Sequence, residues 1–141
     1  MARQLLFISL LFFLLFSCQK DELENKVLTF EKFRVAVPVT WNSFSNQGYD
    51  SEVGMLSNGK DELVFDYGWF AYNFNNETAA THTRTTTTIA GKPALIVQPK
   101  EKGKGLTGIY IMVDDQNKLT LYGQDIMDES TVLNIFTSVR F

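Results

Sequence analysis

One cysteine and one histidine are all that this chain of 141 residues offers of two side chains on which much covalent, redox and metal chemistry depends. A single thiol, Cys18, excludes an internal disulfide, so the fold must be held by its own core. His82 would have to centre any histidine-based triad or metal cluster, and its neighbours Thr81, Thr83 and Arg84 supply no ligand spacing. Gly-x-Ser-x-Gly elbow, phosphate loop, dinucleotide fingerprint, zinc motif and calcium loop are all missing. The chain is therefore expected to be non-enzymatic, with neither cofactor nor metal. Positive charge is also scarce: Lys and Arg number 13 against 16 Asp and Glu, for a formal net charge of −3, and the lysines are scattered apart from Lys100, Lys102 and Lys104. Nucleic acid needs a clustered cationic face to neutralise phosphates, so it is excluded as a partner. Nor is a mature transmembrane helix expected, since it takes roughly 20 apolar residues and the run from Leu5 to Phe16 gives way to strongly polar sequence at Gln19.

What is present begins with an address. Arg3 supplies a positive start, Leu5 to Phe16 an apolar stretch and Ser17 a small residue directly before Cys18, which is the order of a secretory signal. Leu15-Phe16-Ser17-Cys18 resembles the lipobox of bacterial lipoproteins, with a large aliphatic residue three positions before the cysteine and a small one directly before it. The resemblance implies that Cys18 becomes the first residue of the mature chain, carrying a diacylglycerol thioether and an acylated amine. Multiple acylation suits stable membrane anchoring, since each buried CH₂ contributes about 0.8 kcal/mol and a single chain holds only marginally. The alternative for Cys18 is a free thiol at the end of an ordinary signal peptide. Gln19-Lys20-Asp21-Glu22 resembles the export signal of surface-exposed lipoproteins in the Bacteroidota, and Gln19 stands where an inner-membrane retention signal would have Asp. These features imply the outer membrane, facing the cell exterior. On the bland reading Gln19 to Lys26 is only a solvated tether, able to hold the body up to ~25–30 Å from the bilayer. The expected organisation is a signal peptide over 1–17, a lipidated cysteine and tether over 18–27, and one domain over 28–141.

The body has no internal repeat and reads as short strands separated by turn chemistry, with a helix at the end. Phe33, Val35 and Val37 alternate before Pro38. Ser57-Asn58-Gly59-Lys60 separates Val53 to Leu56 from Leu63 to Tyr67, a strong hairpin signal. Ala90-Gly91-Lys92-Pro93 joins Thr81 to Ile89 with Ala94 to Gln98, and Asp114-Asp115-Gln116-Asn117 joins Leu106 to Val113 with Leu119 to Tyr122. At the C-terminus Asp128 is placed as an N-cap, Glu129 favours the positive helix end, and Val132, Leu133, Phe136 and Val139 fall on one helical face. Antiparallel strands followed by a helix that covers one sheet face give an α+β layered domain.

Three stretches resemble the PsbP-like families: Phe33 to Trp41 with its strand-Pro-x-x-Trp pattern, Ile89 to Val97 with Ala90-Gly91-Lys92-Pro93-Ala94, and Ile135 to Phe141 ending in Ser138-Val139-Arg140-Phe141. The resemblance covers most of Phe30 to Phe141. It implies a curved antiparallel β-sheet with a C-terminal helix packed on one face, and no activity, because that fold hosts binding and assembly roles. Asn42 to Gly48 is too short and polar to supply a long helix before the second strand.

Candidate site residues come from aromatic and acidic clustering. Phe65-Asp66-Tyr67-Gly68-Trp69-Phe70-Ala71-Tyr72-Asn73-Phe74 places aromatics on both faces if extended. Exposed Tyr and Trp beside Asn and Asp side chains are the usual means of stacking on and hydrogen-bonding a sugar or peptide. Asp66, Tyr67, Trp69 and Tyr72 are therefore candidate binding residues, with Trp41, Tyr49 and Asp50 behind them; ordinary core plus a loop plug is the competing explanation. The partner would be a glycan, a peptide or an envelope protein. Two other functions remain open at this point, an assembly subunit of an envelope complex and a small hydrolase using Asp50 or Asp66 with His82. The second requires His82 and one of those carboxylates within hydrogen-bond reach.

Overall fold

The structure, a computed structural model, describes residues 24–48 and 50–141. Cys18 and its lipobox, Gln19-Lys20-Asp21-Glu22, and Tyr49 lie outside the described residues. Among these, nine strands precede one helix: β1 (Asn25–Thr29), β2 (Arg34–Pro38), β3 (Asn42–Gln47), β4 (Glu52–Ser57), β5 (Glu62–Gly68), β6 (His82–Ile89), β7 (Lys92–Pro99), β8 (Leu106–Met112), β9 (Lys118–Gln124) and α1 (Glu129–Thr137). The class is α+β, dominated by sheet. β1 and β2 form a hairpin of their own, while the others make an antiparallel sheet in the order β3-β4-β5-β9-β8-β7-β6. That order joins two meanders side by side, β3-β4-β5 and β6-β7-β8-β9, through the pairing of β5 with β9.

Turn chemistry fixes the hairpins. The Asn58 side-chain carbonyl accepts from the backbone N–H of Lys60 at 2.9 Å and of Asp61 at 2.8 Å, while Gly59 takes a φ of 84°. Ala90 and Gly91, with φ of 50° and 76°, both occupy the left-handed region that a two-residue turn between paired Ile89 and Lys92 demands. Asp114 accepts from the N–H groups of Gln116 and Asn117, each at 2.8 Å, so its carboxylate closes the β8–β9 turn. The Asn117 amide and these backbone donors hold it below the usual carboxylate range.

One face of the large sheet is inner. Leu56, Leu63, Phe65, Leu119, Leu121, Ile109 and Ile111 are buried there against Val35, Val37, Trp41, Val132, Ile135 and Phe136. The cover is thus made near both ends of the described chain, by β2 with Trp41 and by α1. Phe30 stacks on Phe33 at 4.7 Å and both rings reach Phe65, at 4.6 and 5.2 Å. Asp128 caps α1 as expected, its carboxylate accepting from the Thr131 hydroxyl at 2.7 Å and the Thr131 N–H at 3.1 Å. Val139 is buried but lies beyond the helix, in a tail that adds to the hairpin: Arg34 and Arg140 exchange backbone hydrogen bonds at 2.8 and 2.9 Å. Ser138 Oγ accepts from Ala36 N–H at 2.9 Å and donates to the Ile135 carbonyl at 2.7 Å, tying the helix end to β2.

Two strands were not expected. β1 takes in residues 25–27, which the sequence assigns to the tether, and β3 occupies Asn42–Gln47, which reads as a polar loop. No β1 side chain is buried, and Asn42 to Ser45 of β3 are exposed. Asp61 joins the β4–β5 turn to the start of α1. It is 4% exposed, and its two carboxylate oxygens accept from Met127 N–H at 2.7 Å and Asp128 N–H at 3.1 Å. Asp61→Ala leaves both donors without that acceptor, and urea unfolding should register a loss of about 1.5–3 kcal/mol; a loss below ~0.5 kcal/mol would refute the clamp.

Candidate functional site

The strand order dictates where a site can form. β5 lies inside the sheet and β6 at its far edge, four interstrand steps away, about 19 Å at about 4.8 Å per step. Residues 69–81 make that crossing over the outer face, opposite the helix. Phe74 anchors the crossing: it is fully buried with a φ of 58°, a conformation strained for a bulky residue. Its ring sits where a Cβ at position 108 would stand, so Gly108 is required for the approach. Tyr72 and Tyr122 flank it edge-on at 5.3 and 6.2 Å. The Thr120 hydroxyl donates to the Tyr72 carbonyl at 2.9 Å, and Arg84 Nη1 to the Phe74 carbonyl at 2.7 Å and also to the Glu77 carbonyl. The Tyr72 phenol donates to Glu77 Oε2 at 2.8 Å, a bond that raises its pKa.

Beside this plug lies a concavity of about 310 Å³ lined by Asn73, Asn75, Arg84, Leu95, Tyr110 and Met112. Leu95 and Tyr110 are cross-strand partners, Met112 follows on β8, and the crossing segment supplies the two asparagines at the rim. Burial pushes the Tyr110 phenol up. Met112 pairs with Lys118, Lys118 pairs with Gly68, and Trp69 follows Gly68, which extends the surface. The Trp69 ring is 53% exposed, with the Lys118 ammonium 4.4 Å from its centroid. The lining thus combines apolar and aromatic side chains with two amides and a guanidinium whose Nη1 is already spent on the Phe74 and Glu77 carbonyls, the mixture by which pockets orient a ligand with few polar groups.

The candidates from sequence divide between the two faces. Trp69 and Tyr72 belong to the crossing segment. Asp66 shares the outer face, in register with Thr120 and, beyond it, Tyr110. Trp41 is 1% exposed and part of the core, so it cannot contact a ligand. Tyr67 points to the inner face, where it stacks on Phe33 at 6.4 Å and packs against the core. Asp50 is exposed beside Asp66. Burial raises the Asp66 pKa, the Asp50 charge adds to the rise and the Ser51 hydroxyl offsets part of it, while Asp66 Oδ1 is buried without a hydrogen-bond partner. His82 bonds Thr81 Oγ1 at 2.8 Å through Nδ1, and four strand steps part it from Asp66. The Asp–His arrangement a hydrolase would need is therefore not assembled. Among the described residues no group of three or more His, Cys, Asp and Glu is placed to hold a metal ion.

Arg84, Leu95, Tyr110, Met112 and Lys118 were not singled out from sequence. One signal was available: Leu106 to Met112 is apolar on both alternating faces, which requires either a second cover or a binding surface on the outer side. Comparison with protein-family models, curated proteins and solved structures finds no match to this chain.

Gly108→Val should drive Phe74 out of its seat, with overpacking on the order of 1–3 kcal/mol. Limited proteolysis would then cut within residues 69–81 at a rate the wild type does not reach; an unchanged cleavage pattern would contradict the plug. A second expectation concerns pH. Because the Asp66 pKa is raised in the folded state, its contribution is favourable below the ordinary carboxylate pKa and is lost as pH rises through the raised value. Asp66→Asn removes that dependence, so the difference in melting temperature between variant and wild type should shift in the variant's favour from pH 3 to pH 7, and a difference independent of pH would count against it.

Proposed function

We propose that this chain is a non-enzymatic, lipid-anchored binding protein of the bacterial outer membrane, facing the cell exterior, whose outer sheet face holds a glycan. The single observation that carries the binding half is the concavity of about 310 Å³ with Tyr110 and Leu95 as floor, Asn73, Asn75 and Arg84 at the rim, and exposed Trp69 along the same face. A pyranose has an apolar C–H face and a polar hydroxyl edge. Aromatic rings take the first, and amide and guanidinium groups the second. Among the described residues the lining is amide, guanidinium, phenol and apolar groups, which suits recognition. The site also lies on the sheet face, where strand addition by an extended peptide is not served.

The anchor half rests on Leu15-Phe16-Ser17-Cys18 and on Gln19-Lys20-Asp21-Glu22. The finer fold reading, a curved PsbP-like sheet, is supported by the helix lying on one face of an antiparallel sheet, by the Ala90-Gly91 turn and by the tail in which Val139 is buried and Arg140 pairs with Arg34.

The test uses intact cells expressing the full chain, with labelled fatty acid, surface protease and a panel of fluorescent glycans. Wild type should take up the label and lose the domain to protease, and Cys18→Ala should take up none. Trp69→Ala, at an exposed position, should weaken capture of the bound glycan about tenfold, corresponding to about 1.4 kcal/mol. Capture that survives both Trp69→Ala and Asn73→Ala would place the ligand elsewhere, and a label-free wild type would remove the anchor.

A further inference from the structure

β3 ends the seven-stranded order, and among the described residues β4 is its only strand neighbour. An edge strand presents a row of unpaired backbone groups, which stable monomers guard with lysine, proline, a bulge or a covering segment. The β3 sequence, Asn-Ser-Phe-Ser-Asn-Gln, has neither charge nor proline, and Lys26 of β1 reaches its first residue, donating from Nζ to Asn42 Oδ1 at 3.3 Å. At its centre Phe44 is 64% exposed. The register carries this apolar character inward along the outer face, Phe44 opposite Met55 and Met55 opposite Val64, which is itself exposed.

Residues 42–46 read the same in both directions, Asn-Ser-Phe-Ser-Asn. We propose that β3 pairs antiparallel with β3 of a second copy of this chain about a two-fold axis at Phe44, making one sheet continuous through both copies. In that register Phe44 stands opposite Phe44 of the partner copy, Ser43 opposite Ser45, and Asn42 opposite Asn46. Directly opposed aromatic residues stabilise a strand pair, and no like charges meet across this one. A two-fold interface uses the same surface on both partners, so the segment must complement itself, which the palindrome accomplishes. The two apolar rows then join into one, Val64, Met55 and Phe44 of each copy. The concavity lies on β6, β7 and β8, so the pairing is independent of the glycan proposal.

The register gives a sharp test in membranes carrying the full-length chain. Phe44→Cys places a thiol opposite its own copy, with Cα atoms about 4.5–5.5 Å apart, within disulfide range. Ser43→Cys leaves its two thiols offset along the strands, with Cα atoms about 8 Å apart, outside that range. Mild oxidation should yield a covalent homodimer on a non-reducing gel about tenfold more abundantly for Phe44→Cys than for Ser43→Cys, and none for wild type, whose single cysteine, Cys18, is consumed in the thioether proposed above. As a second readout, the detergent-solubilised wild type should sediment as two copies. Phe44→Lys, which opposes two ammonium groups, should sediment as one with an unchanged circular dichroism spectrum. Equal cross-linking at positions 43 and 44, a covalent product with a different protein, or a wild type that sediments as one copy would each overturn the pairing.

Discussion

Everything in this fold depends on covering the inner face of the large sheet. Leu56, Leu63, Phe65, Ile109, Ile111, Leu119 and Leu121 cannot remain in water, since each such side chain is worth about 1.5–3 kcal/mol when fully buried. The cover comes from opposite ends of the described chain and has no core of its own. Two devices fix it in place, the Arg34–Arg140 backbone pair with Ser138 on one side and the Asp61 carboxylate on the other. The meanders pair locally, whereas the layer that buries them requires contacts between residues roughly a hundred positions apart, such as Ala36 with Ser138. Non-local closure of this kind is entropically costly and slow to form.

The same strand order that builds the core generates the surface on its other side. Because β6 starts at the far edge, the chain after β5 has to cross the sheet, and it crosses on the face that the helix leaves open. Phe74 and the hydrogen bonds from Thr120 and Arg84 hold that crossing down, and what it leaves uncovered is the floor of Leu95, Tyr110 and Met112. Site and fold therefore share one cause, and the strain at Phe74 is sustained by the packing around Gly108.

Sequence made some of this legible and concealed the rest for physical reasons. β2 and β4 to β9 announced themselves through alternation and through Asn58-Gly59, Ala90-Gly91 and Asp114 to Asn117, whose turn chemistry is local. Asp128 was legible because a cap is decided within one helical turn. β3 was hidden because its one large apolar residue faces outward and, among the described residues, β4 is its only strand partner. β1 was hidden because its side chains are at most half-buried. Trp41 and Tyr67 read as binding candidates, yet face inward; which side of a strand meets the core follows from long-range pairing, as does the meeting of β5 with β9. The concavity was invisible for the same reason. Its residues come from β6, β7, β8 and the crossing segment, and no local pattern brings Arg84, Leu95 and Tyr110 together.

β1 is a strand the core can spare. Its side chains are exposed or half-buried, Leu28 alone among them packs against the core, and the buried aromatic cluster begins only at Phe30. Detached from β2, its five residues would pay out about 17 Å of extended chain, at about 3.3 Å each, while the packing from Phe30 onward stayed closed. On this geometry β1 would act as an extensible leash: load reaching Asn25 would lengthen a stretch that carries little of the core before the packing from Phe30 onward was stressed.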